Sequence, residues 1–436
     1  MRTRRAEPAD HTGRERAVGR TVGPLFQSLH NRNYRIYFSG QLVSTAGTFM
    51  QTVAQAWLVL QLTGSGTALG VLTTLQFGPL VLFGGPGGVL ADRMDRRRLY
   101  LVTQSVMCVE ALVLGLLVTT GRVELWMVYV LAAVLGCITA VDMPVRQTIV
   151  LDIVGPTDLA NAVSLNMTVG SVSRALGPAV AGVTIAVLGV GPCFLINAAS
   201  FVVVIIALLL MRVGEMHPAV REPPARGQFR AGLAYVRASP ELLSVLLMTA
   251  LLFGLAWEFE VALPLFARFV FDGNAATYGV LASAVGIGAV FGGLESARRG
   301  NPSRTMMAVS AGVFGAAMWC ATFAPTMRWE VPVLVVAGAS GVAFAAVAST
   351  RLQLHTMPAM RGRVMALYAI AVFGTRVVGG PVVGWFGEHL GTRASLGIGA
   401  VAVTVALPVW LLLRPSDPAS RQADQTAWES PAPESG

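Results

Sequence analysis

A succession of apolar runs, each close to or beyond the ~20 residues that cross a bilayer as a helix, constrains this chain more than any other feature. The runs cover 36–62, 68–91, 99–120, 125–141, 159–188, 192–211, 242–271, 278–297, 306–323, 331–349, 364–387 and 394–413. With 54% hydrophobic and 13% charged residues and a mean hydropathy of +0.64, the chain carries about half the charge of a soluble domain. Barrel strands alternate apolar and polar positions over about ten residues, whereas these runs are continuously apolar, so helices are predicted. The expected fold class is all-α integral membrane, with twelve transmembrane helices.

The loops between the runs assign the two faces. All 32 basic residues are arginines. The loops after the second, fourth, eighth and tenth runs hold Arg93, Arg96, Arg97, Arg98, Arg146, Arg298, Arg299, Arg304, Arg351, Arg361 and Arg363, while the opposite short loops hold only Arg122, Arg268, Arg328 and Arg393. By the positive-inside rule the arginine-rich face is cytoplasmic, which places both termini there. The net charge of +9 is therefore a topology signal, and with no basic patch in a soluble domain, nucleic acid is not an expected partner. The expected organisation is a cytoplasmic tail over 1–33, a six-helix half over 34–212, a cytoplasmic linker over 213–240 rich in Pro and Arg, a second six-helix half over 241–414, and a cytoplasmic tail over 415–436. The N-terminal segment is basic with no apolar region directly behind it, so it reads as a tail and not as a cleaved signal.

Enzyme chemistry has no visible seat. His11, His30, His217, His355 and His389 fall in tails, loops or helix ends, and no HExxH, GxSxG or phosphate-binding loop accompanies them. Cys108, Cys137, Cys193 and Cys320 lack metal-ligand spacing and read as small core residues. No metal or organic cofactor is expected.

The two halves share weak internal similarity. Gly47 aligns with Gly254, which sets Gln51 against Glu258; Gly87 and Gly88 match Gly292 and Gly293; and SRALGPAVAG at 173–182 resembles TRVVGGPVVG at 375–384. Duplicated six-helix halves place a substrate site at their interface near mid-membrane. In addition, GVLADRMDRRR at 88–98 resembles the signature loop between the second and third helices of the major facilitator superfamily. DMPVRQTIVLDIVGPTDLANAVSLN at 142–166, with RALGPAVAG after it, is similar to the bacterial branch that holds the enterobactin exporter and macrolide efflux proteins. The resemblance covers about residues 25–414. It implies a secondary exporter of a small organic molecule in a bacterial cytoplasmic membrane, driven by the proton gradient; a facilitator or proton-symport importer of the same fold is the alternative, and a non-transporting membrane sensor or scaffold the remote one. A monomer is expected.

Gating candidates cluster around the signature loop: Gly88 for close helix packing, and Asp92, Arg93, Arg96, Arg97, Asp142 and Arg146 for ion pairs that form in one access state and break in the other. A latch joining Asp92, Arg96, Asp142 and Arg146 is one expectation; a topology-setting loop with surface ion pairs is the other. Charges inside the runs are the proton-coupling candidates, because each costs roughly 2.5–3.5 kcal/mol at a helix centre and so faces protein or water: Glu110, Glu258, Glu260, Arg174 and Arg376. On a regular helix Glu258 and Glu260 point about 200° apart, so one of them is expected in the cavity, and the alignment with Gln51 favours Glu258. Structural ion pairing is an equally available role for these charges. Many proton antiporters of the superfamily carry an arginine in the fourth helix; Ala132 stands there, which leaves Arg174 as the candidate to modulate the acid. The expected cavity wall comprises Gln51, Gln55, Asn166, Phe253 and Trp257, with Trp57, Gln76, Phe77 and Asn197, all amide or aromatic groups suited to an amphipathic ligand.

Overall fold

The computed structural model describes residues 24–217, 228–299 and 303–412. Most of the expected N-terminal tail, the C-terminal tail and the middle of the linker lie outside the described residues. Within them the chain forms α1 (Arg32–Thr63), α2 (Gly66–Arg93), α3 (Arg96–Thr119), α4 (Leu125–Leu188), α5 (Gly191–Leu210), α6 (Gln228–Ala238), α7 (Pro240–Leu251), α8 (Phe259–Leu265), α9 (Ala275–Arg299), α10 (Arg304–Phe323), α11 (Met327–Leu354), α12 (Arg361–Ala369), α13 (Arg376–His389) and α14 (Arg393–Leu412). No strand occurs among the described residues.

Helix ends fall where the short polar residues sit. Asn31, Ser65, Asp95 and Ser303 cap α1, α2, α3 and α10, each side chain accepting from a backbone N–H in the first turn. Asp95 thus explains why an acid precedes the three arginines of the signature loop. Ten helical stretches are long and apolar enough to cross a membrane. One of them, α4, is 64 residues long and divided at Gly155, and α1 adds a more polar helix of 32 residues; together they are consistent with twelve crossings.

Three places depart from the expected runs. Residues 142–158 were expected to be a loop between the fourth and fifth spans; helix continues through them and breaks only at Gly155, whose φ of 72° and ψ of 178° suit glycine alone. Pro156, with no N–H to satisfy, restarts it. The run 242–271 was expected to be one helix, yet a π turn at Leu252–Ala256 leaves Trp257 and Glu258 outside helical geometry before α8 begins. A further π turn, Ile370–Gly374, separates α12 from α13. In the linker, α6 packs against α12, with Val236 buried and the Tyr235 hydroxyl accepting from the Met357 N–H.

The helices arrange in two related groups. In the first, α5 packs against α1 and α3; in the second, α11 packs against α9 and α10. The internal similarity is visible in this packing: a side chain added at Gly87 would strike the Ala140 carbonyl of α4, and one at Gly292 the Ala339 carbonyl of α11. The groups meet along two seams, α4 against α9 and α2 against α13. Outward faces carry exposed apolar side chains such as Leu82, Val187 and Leu412 at 71%, 74% and 80% exposure, the inverse of a soluble surface. This is a multi-pass membrane protein.

Candidate functional site

Both seams close tightly at the ends of the helices that carry the arginine-poor loops. There Gly66 and Gly384 on α2 and α13, and Gly182 and Gly279 on α4 and α9, bring backbones together with no room for a Cβ; small residues set such distances where lipid offers no hydrophobic drive. Polar contacts cross the α2–α13 seam as well. The Glu388 carboxylate accepts from the Ser65 hydroxyl at 2.6 Å and the Thr67 N–H at 2.9 Å, so an acid of one half caps a helix of the other. The Thr74 hydroxyl donates to the Val377 carbonyl at 2.7 Å.

On the arginine-rich side a cavity of about 500 Å³ lies against α1 and α4, running from Phe49 and Arg174 at mid-helix to Val150 and Val163. Phe49 and Arg174 also line a smaller chamber of about 90 Å³ between the halves, whose walls include Trp257, Glu260 and Tyr278. Arg174, stacked over the Phe49 ring at 5.5 Å, stands at the boundary between the two spaces.

Next to the chamber lies the densest group of charges inside the spans. The Arg376 guanidinium, 7% exposed, donates from Nε to Glu258 Oε1 at 3.1 Å and pairs through Nη2 with Glu260 Oε2 at 3.2 Å. Its face lies 4.2 Å from the centre of the Phe77 ring. Glu258 and Glu260 therefore do not diverge as a regular helix requires. The irregular turn at Trp257 and Glu258 swings both carboxylates to one guanidinium, and the ion pairs offset the lost helical bonds. The expectation that Glu258 is the cavity-facing acid is also corrected: Glu258 is buried behind the pair, and Glu260 lines the chamber. Arg174 lies in the field of Glu260. Two carboxylates and two guanidiniums make the group neutral as a whole.

Arg174 and Arg376, equivalent in the repeat, have equivalent surroundings of backbone but different chemistry. Gly177 abuts Phe49 of α1 and Gly379 abuts Gly254 before α8, yet Arg376 is ion-paired and Arg174 faces the cavity.

The remaining candidates divide into two sets. Trp257 and Asn166 reach the two spaces, Asn166 accepting from the Tyr34 hydroxyl at 3.3 Å; Phe253 packs behind Trp257 with ring centres 5.5 Å apart. Gln51, Gln55 and Glu110 line neither space. Gln51 donates to Glu110 Oε2 at 2.9 Å and accepts from Asn197 at 2.6 Å, a buried network inside the first half. Gln55 accepts from Gln76 at 3.1 Å. Trp57 stacks on Tyr278 across the halves.

At the signature loop, Gly88 faces open space and Gly87 makes the close approach instead. Of the expected latch residues, the three with described side chains, Arg96, Asp142 and Arg146, make no hydrogen bond or ion pair with one another, although Arg146 lies in the field of Asp142. Arg96 pairs with Asp152 at 2.7 Å, Asp142 accepts from Thr103 at 2.7 Å and Gln104 at 2.9 Å, and Arg97 donates to the Leu208 carbonyl at 2.9 Å. Arg146 faces the large cavity, Arg93 is exposed, and the Asp92 side chain lies outside the described residues. Among the described residues no ion pair crosses between the halves on this face; Glu241 and Arg351 pair within the second half. Two further acids were missed from sequence: Glu388, one residue past an apolar run, and wholly buried Glu330, one residue before another. An acid abutting a run was the signal available.

Comparison with known proteins agrees with this architecture. The chain is 24% identical to the enterobactin exporter of Shigella boydii over 86% of its length and 90% of that protein. It is 23% identical to macrolide efflux protein A of Streptococcus pyogenes over 77% of its length and 85% of that protein. With the staphyloferrin A transporter of Staphylococcus aureus it shares 23% identity over 59% of its length, and the match spans 64% of that protein. Its fold matches a bacterial homologue of the human lysosomal transporter Spinster, in an inward-facing and occupied conformation, with a TM-score of 0.70 at 16% identity over 88% of this chain and 97% of that one. A bacterial homologue of the iron transporter ferroportin matches with a TM-score of 0.67 at 14% identity over 88% of this chain and 98% of that one. The family model described as transmembrane secretion effector matches residues 23–434, and the chain belongs to that family of major facilitator superfamily transporters, a membrane transporter and not an enzyme.

Proposed function

We propose that this transporter exports a small organic molecule by alternating access, in antiport with protons. The observation that carries the reading is the Glu258–Arg376–Glu260 group at the break before α8, next to a chamber that adjoins the open cavity. A proton on either carboxylate removes one of the two anions that hold Arg376 and leaves the neutral group with a positive charge. In a low-dielectric interior an unbalanced charge drives rearrangement. The group sits where the π turn at Leu252–Ala256, α8 and α13 come together, so such a change acts on the helices that border the α2–α13 seam.

With the arginine-rich face taken as cytoplasmic by the positive-inside rule, the tight seams seal the outer side and the large cavity opens inward. This is the state that loads substrate for export. The efflux names of the enterobactin exporter and macrolide efflux protein support the direction.

The test is exchange in proteoliposomes loaded with a panel of anionic, neutral and cationic dyes. An imposed proton gradient should accelerate dye movement against the protons, an ionophore should abolish the acceleration, and Glu258→Gln and Glu260→Gln should each do the same. Dye movement that ignores both the gradient and the two substitutions identifies a facilitator and overturns the proposal.

A further inference from the structure

The larger cavity is lined by charge of one sign. Arg146 on the first limb of α4 and Arg174 on the second both face it, and among the described lining residues there is no aspartate or glutamate. The acid whose field reaches Arg146, Asp142, is 5% exposed and makes no hydrogen bond to the guanidinium; its Oδ1 is taken by the Thr103 hydroxyl and the Gln104 amide. Glu260, the acid whose field reaches Arg174, is ion-paired to Arg376 in the adjoining chamber. Among the described residues neither Arg146 nor Arg174 makes a side-chain hydrogen bond or a carboxylate contact within 4.0 Å. Both stay charged at any accessible pH.

Two guanidiniums facing a low-dielectric cleft that no acid lines focus a positive potential into it, and their planar forks match a carboxylate in two parallel hydrogen bonds. Other groups suit an organic body. Tyr37, Gln41 and Asn166 add hydroxyl and amide groups, Phe49 offers a ring beneath Arg174, and Met167 presents an apolar side chain at 70% exposure.

We propose that this cavity binds an amphipathic organic anion, its acidic groups on Arg146 and Arg174 and its apolar part against Phe49 and Met167. The proposal rests on the transporter reading above and narrows its substrate to acids. It also gives Arg146 a ligand-binding role in place of the latch role expected from sequence.

Two dyes built on one xanthene ring system test it. Fluorescein is an anion with a free carboxylate; rhodamine 6G is a cation whose carboxylate is esterified. With the purified full chain in detergent, fluorescence anisotropy should show saturable binding of fluorescein that weakens with rising salt and by about tenfold or more in the Arg146→Gln/Arg174→Gln variant, equivalent to ~1.4 kcal/mol. Rhodamine 6G should not compete. The Arg146→Lys/Arg174→Lys variant should recover part of the affinity, which separates lost charge from lost fold. Rhodamine 6G binding as tightly as fluorescein, no saturable fluorescein binding, or fluorescein binding unchanged in the glutamine variant each overturns the proposal. Transport of the same dyes in proteoliposomes separates the two readings. Arginine-dependent fluorescein binding without transport overturns the export reading alone, whereas gradient-driven transport of rhodamine 6G without fluorescein binding overturns the anion site alone.

Discussion

Arg376 shows how one side chain ties distant parts of the sequence together. It holds Glu258 and Glu260 across more than a hundred residues, and removing it leaves two acids facing each other in a buried setting. Arg376→Ala should therefore destabilise the protein by about 3–5 kcal/mol, read as a fall in the melting temperature of the purified transporter, while Glu258→Gln should cost less because a polar partner for the guanidinium survives. Equal losses from the two variants would show that the pair contributes no more than its packing. The importance of these three residues was legible in sequence, since charges inside apolar runs are costly and rarely idle. Their pairing was not. A helical wheel separates Glu258 from Glu260, and only the irregular turn at Trp257 and Glu258 reverses that. Likewise Gln51 matches Glu258 in the repeat, but the repeat aligns backbones; Gln51 turns to Glu110 and Asn197 because those partners exist only in the first half.

At the scale of the elements, glycine and proline decide where helices bend and touch. Gly155→Ala places a Cβ on a backbone conformation reserved for glycine, at a cost of about 1–3 kcal/mol; thermal unfolding in detergent should show the loss, and an unchanged melting temperature would mean that the break relaxes. Gly384→Leu should act differently. Its side chain meets the backbone of Gly66 in the closed seam, an overpacking cost of about 1–3 kcal/mol that falls on the sealed state alone. The variant should expose the arginine-poor side, measurable as faster thiol labelling of a cysteine placed at Thr73, beside Gly380 in the seam. Span positions were readable from apolar runs and their capping residues Asn31, Ser65, Asp95 and Ser303. The interruptions were harder: 142–158 looks like a loop because it is polar, yet it is helical because α4 extends beyond its apolar stretch.

For the molecule as a whole, the two faces are held differently. Glu388, Ser65, Thr67 and Thr74 join the halves on the arginine-poor side, whereas on the arginine-rich side the described ion pairs stay within each half. Glu388→Ala should weaken the seal and shift the population several-fold toward a state open on that side, visible as a changed distance distribution between spin labels on the α1–α2 and α13–α14 loops. No change in the distribution would show that glycine packing alone holds the seam. The sealed side is where sequence pointed least, since the charge is concentrated in the arginine-rich signature loop, while the clasp is built from one acid and three hydroxyl residues at and near helix ends.

By itself the sequence determined that the chain is a helical membrane protein in two similar halves, which face carries the basic loops, and which few charges are buried, because bilayer thickness and the cost of burying charge act on residues one run at a time. Which charges meet, which acid looks into the chamber, and which side is sealed were decided only by tertiary structure. Those outcomes depend on a broken turn and on glycine-lined contacts between helices hundreds of residues apart, and no local pattern records them.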